Sequence, residues 1–185
     1  PKQSRSKSTM SDGEEDPRIE QLEEFIVDKS PKDIAEFLEK MDMKEAMVCG
    51  GMCFNIPFAK AHFMLSATLG SGTKLTEEII QAKEIYKACF PSEEAQLMLL
   101  FALEMYVVTK KRNGLKVYDA ILRCLWENDV IHEDQMDKWH KAETGLHQFY
   151  PDFALADAVK ARETGWKFID WVQREDGDDG EDEED

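Results

Sequence analysis

Two stretches near the C-terminal end combine acids and large aromatics at spacings suited to capturing cationic groups. The first runs Tyr118-Asp-Ala-Ile-Leu-Arg-Cys-Leu-Trp-Glu-Asn-Asp-Val-Ile-His-Glu-Asp-Gln-Met-Asp-Lys-Trp139 and supplies Asp119, Trp126, Glu127, Asp129, Glu133, Asp134 and Asp137. The second, Gly165-Trp-Lys-Phe-Ile-Asp-Trp-Val-Gln-Arg174, supplies Phe168, Asp170 and Trp171 and continues into Glu175, Asp176 and an acidic tail. Carboxylates attract ammonium groups, while aromatic rings take both the aliphatic stem and the charge of a lysine. These twelve residues are the candidate partner-binding set. The alternative for the acids is an ordinary solvated helix face.

Other chemistry finds little support. There is no Ser/His/Asp order, glycine-rich phosphate loop or zinc-helix motif, and the four histidines are scattered, so no catalytic residue, metal ligand or cofactor is expected. Cys49-Gly-Gly-Met-Cys53 lacks the second pair that a metal site needs, which leaves Cys49, Cys53, Cys89 and Cys124 as buried free thiols of a reducing, cytoplasmic compartment. No uncharged apolar run suggests a membrane span. A positive run, Lys110-Lys-Arg112 with Lys116, interrupts the acidity and suits an acidic partner or ribosomal RNA, with a solubilising loop as the simpler alternative. Ser11-Asp-Gly-Glu14 has the acids downstream that acidic-directed kinases accept, which makes Ser11 a candidate phosphorylation site.

The elements that must carry these residues are helices. Asp16-Pro17 and Ser30-Pro31 each provide an N-cap followed by a first-turn proline, with Ile19, Leu22 and Ile26 behind one and Ile34, Phe37, Leu38 and Met41 behind the other. Further starts are expected at Asn55 with Pro57, at Thr76 before Glu77 and Glu78, and at Ser92 before Glu93 and Glu94. Gly70, Gly114 and Gly145 punctuate the ends. The first acidic stretch reads as two helices broken near Asn128 and Asp129, with Tyr118, Ile121, Leu122 and Leu125 forming a core stripe. Asp119, Arg123 and Glu127 form an i, i+4 ladder opposite that stripe, and Met136 and Trp139 belong to the core of the second helix. The last helix is expected from about Phe153, with Leu155, Val159, Trp166 and Ile169 on its buried stripe and Phe168 and Trp171 on another side. Those two rings then need either a neighbouring helix or a partner.

Successive helices with short connections predict an all-α, HEAT-like α-solenoid of stacked antiparallel pairs, with a compact bundle as the alternative. The 39 acids and 23 bases give a net charge of −16, but the tail from Glu175 onward holds nine acids and no base. The charge is therefore concentrated at one end and favours basic protein segments over nucleic acid. Residues 1–16 read as a disordered linker, 17–174 as one interaction domain and 175–185 as a disordered acidic tail, in a monomer.

The words Leu125-Trp-Glu-Asn-Asp-Val-Ile131, Asp137-Lys-Trp139 and Phe168-Ile-Asp-Trp171 before a terminal acid run resemble the acidic/aromatic boxes of a HEAT-type domain family. That family is shared by translation initiation factor 5 and by the epsilon subunit of the exchange factor for initiation factor two. The resemblance implies docking to the lysine-rich tail of the beta subunit of initiation factor two and contacts with initiation factors one and three. It also implies that the GTPase-stimulating activity of factor 5 belongs to a separate N-terminal domain. The exchange-factor subunit, whose C-terminal domain acts directly on the G protein, is the alternative within the family.

Overall fold

The computed structural model describes residues 16–44, 47–48, 51–52, 55–70, 74–142 and 152–175. Among these residues eight α-helices follow one another: α1 Pro17–Ile26, α2 Pro31–Lys40, α3 Ile56–Thr68, α4 Leu75–Cys89, α5 Glu93–Lys110, α6 Tyr118–Glu127, α7 Glu133–Lys141 and α8 Asp152–Glu175. A 3₁₀ turn, Arg112–Val117, joins α5 to α6. Between α2 and α3 the chain makes a two-residue antiparallel pairing of β1, Met47–Val48, with β2, Gly51–Met52. The sequence gives no strand signal for this pairing.

Local chemistry sets most helix starts. The side chains of Asp16, Ser30, Asn55 and Ser92 each accept a backbone N–H in the first turn of their helix, and proline follows the first three. The start expected at Thr76 differs: α4 begins at Leu75, and its N-cap, Lys74, makes no side-chain capping bond. Nor does Gly114 end a helix. It lies within the 3₁₀ turn, where a Cβ would stand 2.8 Å from Leu75 Cδ1 and 3.1 Å from Val107 Cγ1, so its missing side chain lets the turn close on α4 and α5. Gly70 does follow the end of α3, whereas Gly145 lies outside the described residues.

Packing settles solenoid against bundle. Each helix rests chiefly on the one two places along: α1 on α3, α3 on α5 and α5 on α7 in one layer, α2 on α4, α4 on α6 and α6 on α8 in the other. The result is an all-helical, HEAT-like stack of helix pairs. α5 lies at its centre and is buried almost all round, from Leu99 through Val108. Glu104 is wholly buried there, yet its carboxylate accepts the Trp139 indole N–H at 2.8 Å and Arg162 Nε–H at 3.0 Å. Arg162 also donates to the Ala142 carbonyl and covers the Trp139 ring. This paired and hydrogen-bonded charge ties α5, α7 and α8 together.

The buried face of α8 corrects the expected stripe. Ile169 is buried as expected, but Leu155, Val159 and Trp166 are exposed. The helix instead buries Ala158, Ala161, Arg162, Gly165, Phe168, Ile169 and Val172. At Gly165 a Cβ would stand 2.8 Å from Leu122 Cδ1, so small residues allow α8 to lie close to α6 and α7.

Candidate functional site

The C-terminal end of α6 and the N-terminal end of α7 meet at a sharp turn. Asp129, the only non-glycine residue with positive φ among the described residues, at 55°, turns the chain out of α6. Asp tolerates this left-handed conformation better than most side chains. Asn128 secures the turn by donating its side-chain amide to the Cys124 carbonyl at 2.8 Å, and Val130 N–H bonds back to the Leu125 carbonyl at 2.9 Å. Val130 and Ile131 then enter the core, so the polar residues on either side are left facing outward.

An open groove of about 700 Å³ forms here, lined by Trp126, Glu127, Asp129, Ile131, His132, Glu133 and Asp134. Five members of the candidate set, Trp126, Glu127, Asp129, Glu133 and Asp134, are thus brought together. Asp129 and Asp134 are exposed and have no ion-pair partner among the described residues, whereas Glu127 is held by Arg123 Nε–H at 2.7 Å. Four carboxylates stand beside one indole with no lysine or arginine in the lining, an arrangement whose field and ring face attract cationic groups.

The remaining candidates are differently placed. Asp119 forms no ladder pair with Arg123, and its carboxylate instead accepts the Ala120 N–H at 2.9 Å. Asp137, on the first helix turns of α7, is half-buried and knitted into the fold by Lys141 at 2.7 Å and Gln173 at 3.0 Å. The Lys141 bond, aided by that from Gln173, holds its carboxyl below the usual range. Asp170 pairs with Arg174 at 2.9 Å. Phe168 and Trp171 part company: Phe168 is buried edge-on against Trp126, ring centres 5.8 Å apart, while Trp171 stacks on Phe168 and remains 42% exposed. Trp139 is fully buried and stacks on Tyr118. The Glu175 side chain, Asp176 and Ser11 lie outside what is described, as do Cys49 and Cys53. Cys89 and Cys124 are free thiols, and among the described residues no acid, His or Cys cluster could hold a metal.

The basic run lines a second groove, of about 720 Å³, in which Lys110, Lys111 and Arg112 are joined by Lys74. Arg112 pairs with Asp157 of α8, and Lys116 is exposed outside the lining. Lys74 carries no sequence signal for this groove; it lies far off in sequence, and only the packing of α4 against α6 and of Leu75 against the 3₁₀ turn brings it in. His132 was also missed in the acidic groove, because a lone histidine among acids has no distinctive spacing. No helix among the described residues is long and apolar enough to cross a membrane.

A protein-family model matches the half of the chain that carries the acidic groove. Residues 95–183, from the first turn of α5 onward, match the family model described as W2: eIF4-gamma/eIF5/eIF2-epsilon. Over 115 residues the chain is 24% identical to eukaryotic translation initiation factor 5 of Zea mays, covering 62% of this chain and 24% of that protein. Over 124 residues it is 26% identical to eukaryotic translation initiation factor 5 of Phaseolus vulgaris, covering 64% and 25%. The chain therefore spans about a quarter of the length of the curated relatives it matches.

Proposed function

We propose that this chain docks lysine-rich protein segments in its α6–α7 groove, a reading supported by the match of residues 95–183 to the W2 family model and by the factor 5 relatives. The observation that carries the reading is the juxtaposition of Glu127, Asp129, Glu133 and Asp134 with Trp126 around one open groove. The resemblance of the acidic/aromatic boxes suggests the partner: the lysine-rich tail of the beta subunit of initiation factor two, with initiation factors one and three as further partners. In this reading the domain is a non-catalytic assembly module. Both relatives bear the name of factor 5, which supports a factor 5-like parent whose separate N-terminal domain promotes GTP hydrolysis, rather than the exchange-factor subunit.

Exposed ion pairs contribute only about 0.2–1 kcal/mol each, so affinity must arise from several at once and fade as salt rises above about 0.15 M. Neutralising Asp129→Asn, Glu133→Gln and Asp134→Asn together is expected to weaken binding of a lysine-block peptide roughly tenfold. The circular dichroism melt should hardly move. Unchanged affinity in calorimetry at low salt would exclude the groove as the docking face. Asp137 is left out of this test because its bonds to Lys141 and Gln173 give it a folding role.

A further inference from the structure

The acidic and aromatic site already holds a cation of its own. Arg123, on α6, donates its Nε–H to Glu127 at 2.7 Å and places its guanidinium carbon 5.8 Å from the centre of the Trp171 ring. The Arg123 and Glu127 side chains are 58% and 47% exposed. Half-exposed Trp171 belongs to a run of rings, Trp126 against Phe168 and Phe168 against Trp171, that leads out of the groove, and Glu127 lines the groove itself. A ring face and a carboxylate around one positive charge are what an incoming lysine or arginine needs.

We propose that Trp171 and Glu127 form a cation subsite at the edge of the docking groove, and that Arg123 is a stand-in ligand which a docked segment displaces. The inference rests on the docking reading above and adds how that site selects its partner. A single lysine arriving at the subsite merely exchanges one cation for another and gains little. A block of lysines also fills the groove beside Asp129 and Asp134, so the displacement is offset by several new contacts. Arg123 therefore lowers affinity for all cations but discriminates against isolated ones, a built-in penalty that favours dense positive charge. The contacts being displaced are exposed and individually weak, which keeps the exchange rapid.

Arg123→Gln removes the charge and keeps a polar side chain. In calorimetry on the full chain, the Kd for a synthetic lysine-block peptide is expected to fall by about threefold to tenfold in R123Q. K116Q, which removes the same charge from the 3₁₀ turn, should change it much less. The R123Q gain should also vanish in a Trp171→Ala background. Equal effects of R123Q and K116Q would reduce Arg123 to its net charge, and weaker binding by R123Q would make it a support for Trp171 and Glu127; either result overturns the proposal. In the unmutated chain the Arg123 Nε–H NMR signal should shift on adding the peptide, and a stationary signal despite binding also overturns it. If the unmutated chain does not bind the peptide, the docking reading fails and this inference fails with it.

Discussion

Two adjacent aromatics on α8 have opposite duties, although both follow the same sequence logic. Phe168 is 6% exposed and wedged between Trp126 and Trp171, so Phe168→Ala is expected to cost about 3–5 kcal/mol of stability through lost burial and a cavity. Trp171→Ala, by contrast, should leave the melting temperature within a few degrees and weaken lysine-block binding. Thermal melts and calorimetry on the two single variants check this; the reverse pattern would refute the assignment. A buried histidine sets a different expectation. Desolvation, with Lys110 adding repulsion, lowers the pKa of His62 to about 4 from 6.5. Between those values the unfolded chain takes up a proton that the folded one refuses, so stability falls as pH drops from about 6.5 towards 4 and is fully present above that window. The contribution reaches about 3 kcal/mol at its acid end. His62→Phe should flatten that part of the curve in urea unfolding at stepped pH, and parallel curves for the two proteins would contradict it.

Helix ends were legible wherever one side chain does the work. Asp16, Ser30, Asn55 and Ser92 announce their helices because a cap is a local bond between residues two or three apart. Ser92→Ala should therefore cost about 1 kcal/mol, whereas Lys74→Ser, supplying the cap that α4 lacks, should add a few tenths. Opposite shifts of the denaturation midpoint are the check, and a neutral Ser92→Ala would argue against the capping account. The α6 stripe and the break at Asn128 and Asp129 were equally readable, since apolar period and turn chemistry agree there. The face of α8 was not. Hydrophobic periodicity gives weight to Leu155, Val159 and Trp166, but close packing selected Ala158, Ala161 and Gly165, whose value lies in what they lack. In the same way the sequence named the groove acids, but which of them stay available depended on Lys141, Gln173 and Arg123, brought in by folding or by helix pitch.

Stacking each helix on the one two places along distributes stability unevenly over the molecule. α1 buries only Ile19 and Leu22 and rests mainly on α3, while α5 is enclosed by neighbours from both layers. Amide hydrogen exchange is expected to be fastest in α1 and α2 and slowest in α5, with the α6–α7 groove anchored on the slow end. Uniform protection across all eight helices would contradict this gradient. The two grooves have a joint consequence. Ala120, in the first turn of α6, lines the basic one, and Trp126 and Glu127, at its last turn, line the acidic one. The two grooves thus open about 10 Å apart along one helix, each at the end where the peptide dipole has the sign of its charges. On approach to a polyanionic surface the net charge of −16 would oppose contact as a whole, and the Lys74 and Lys110 end would be the least repelled. In that orientation the acidic groove would face solution, where a basic segment could reach it.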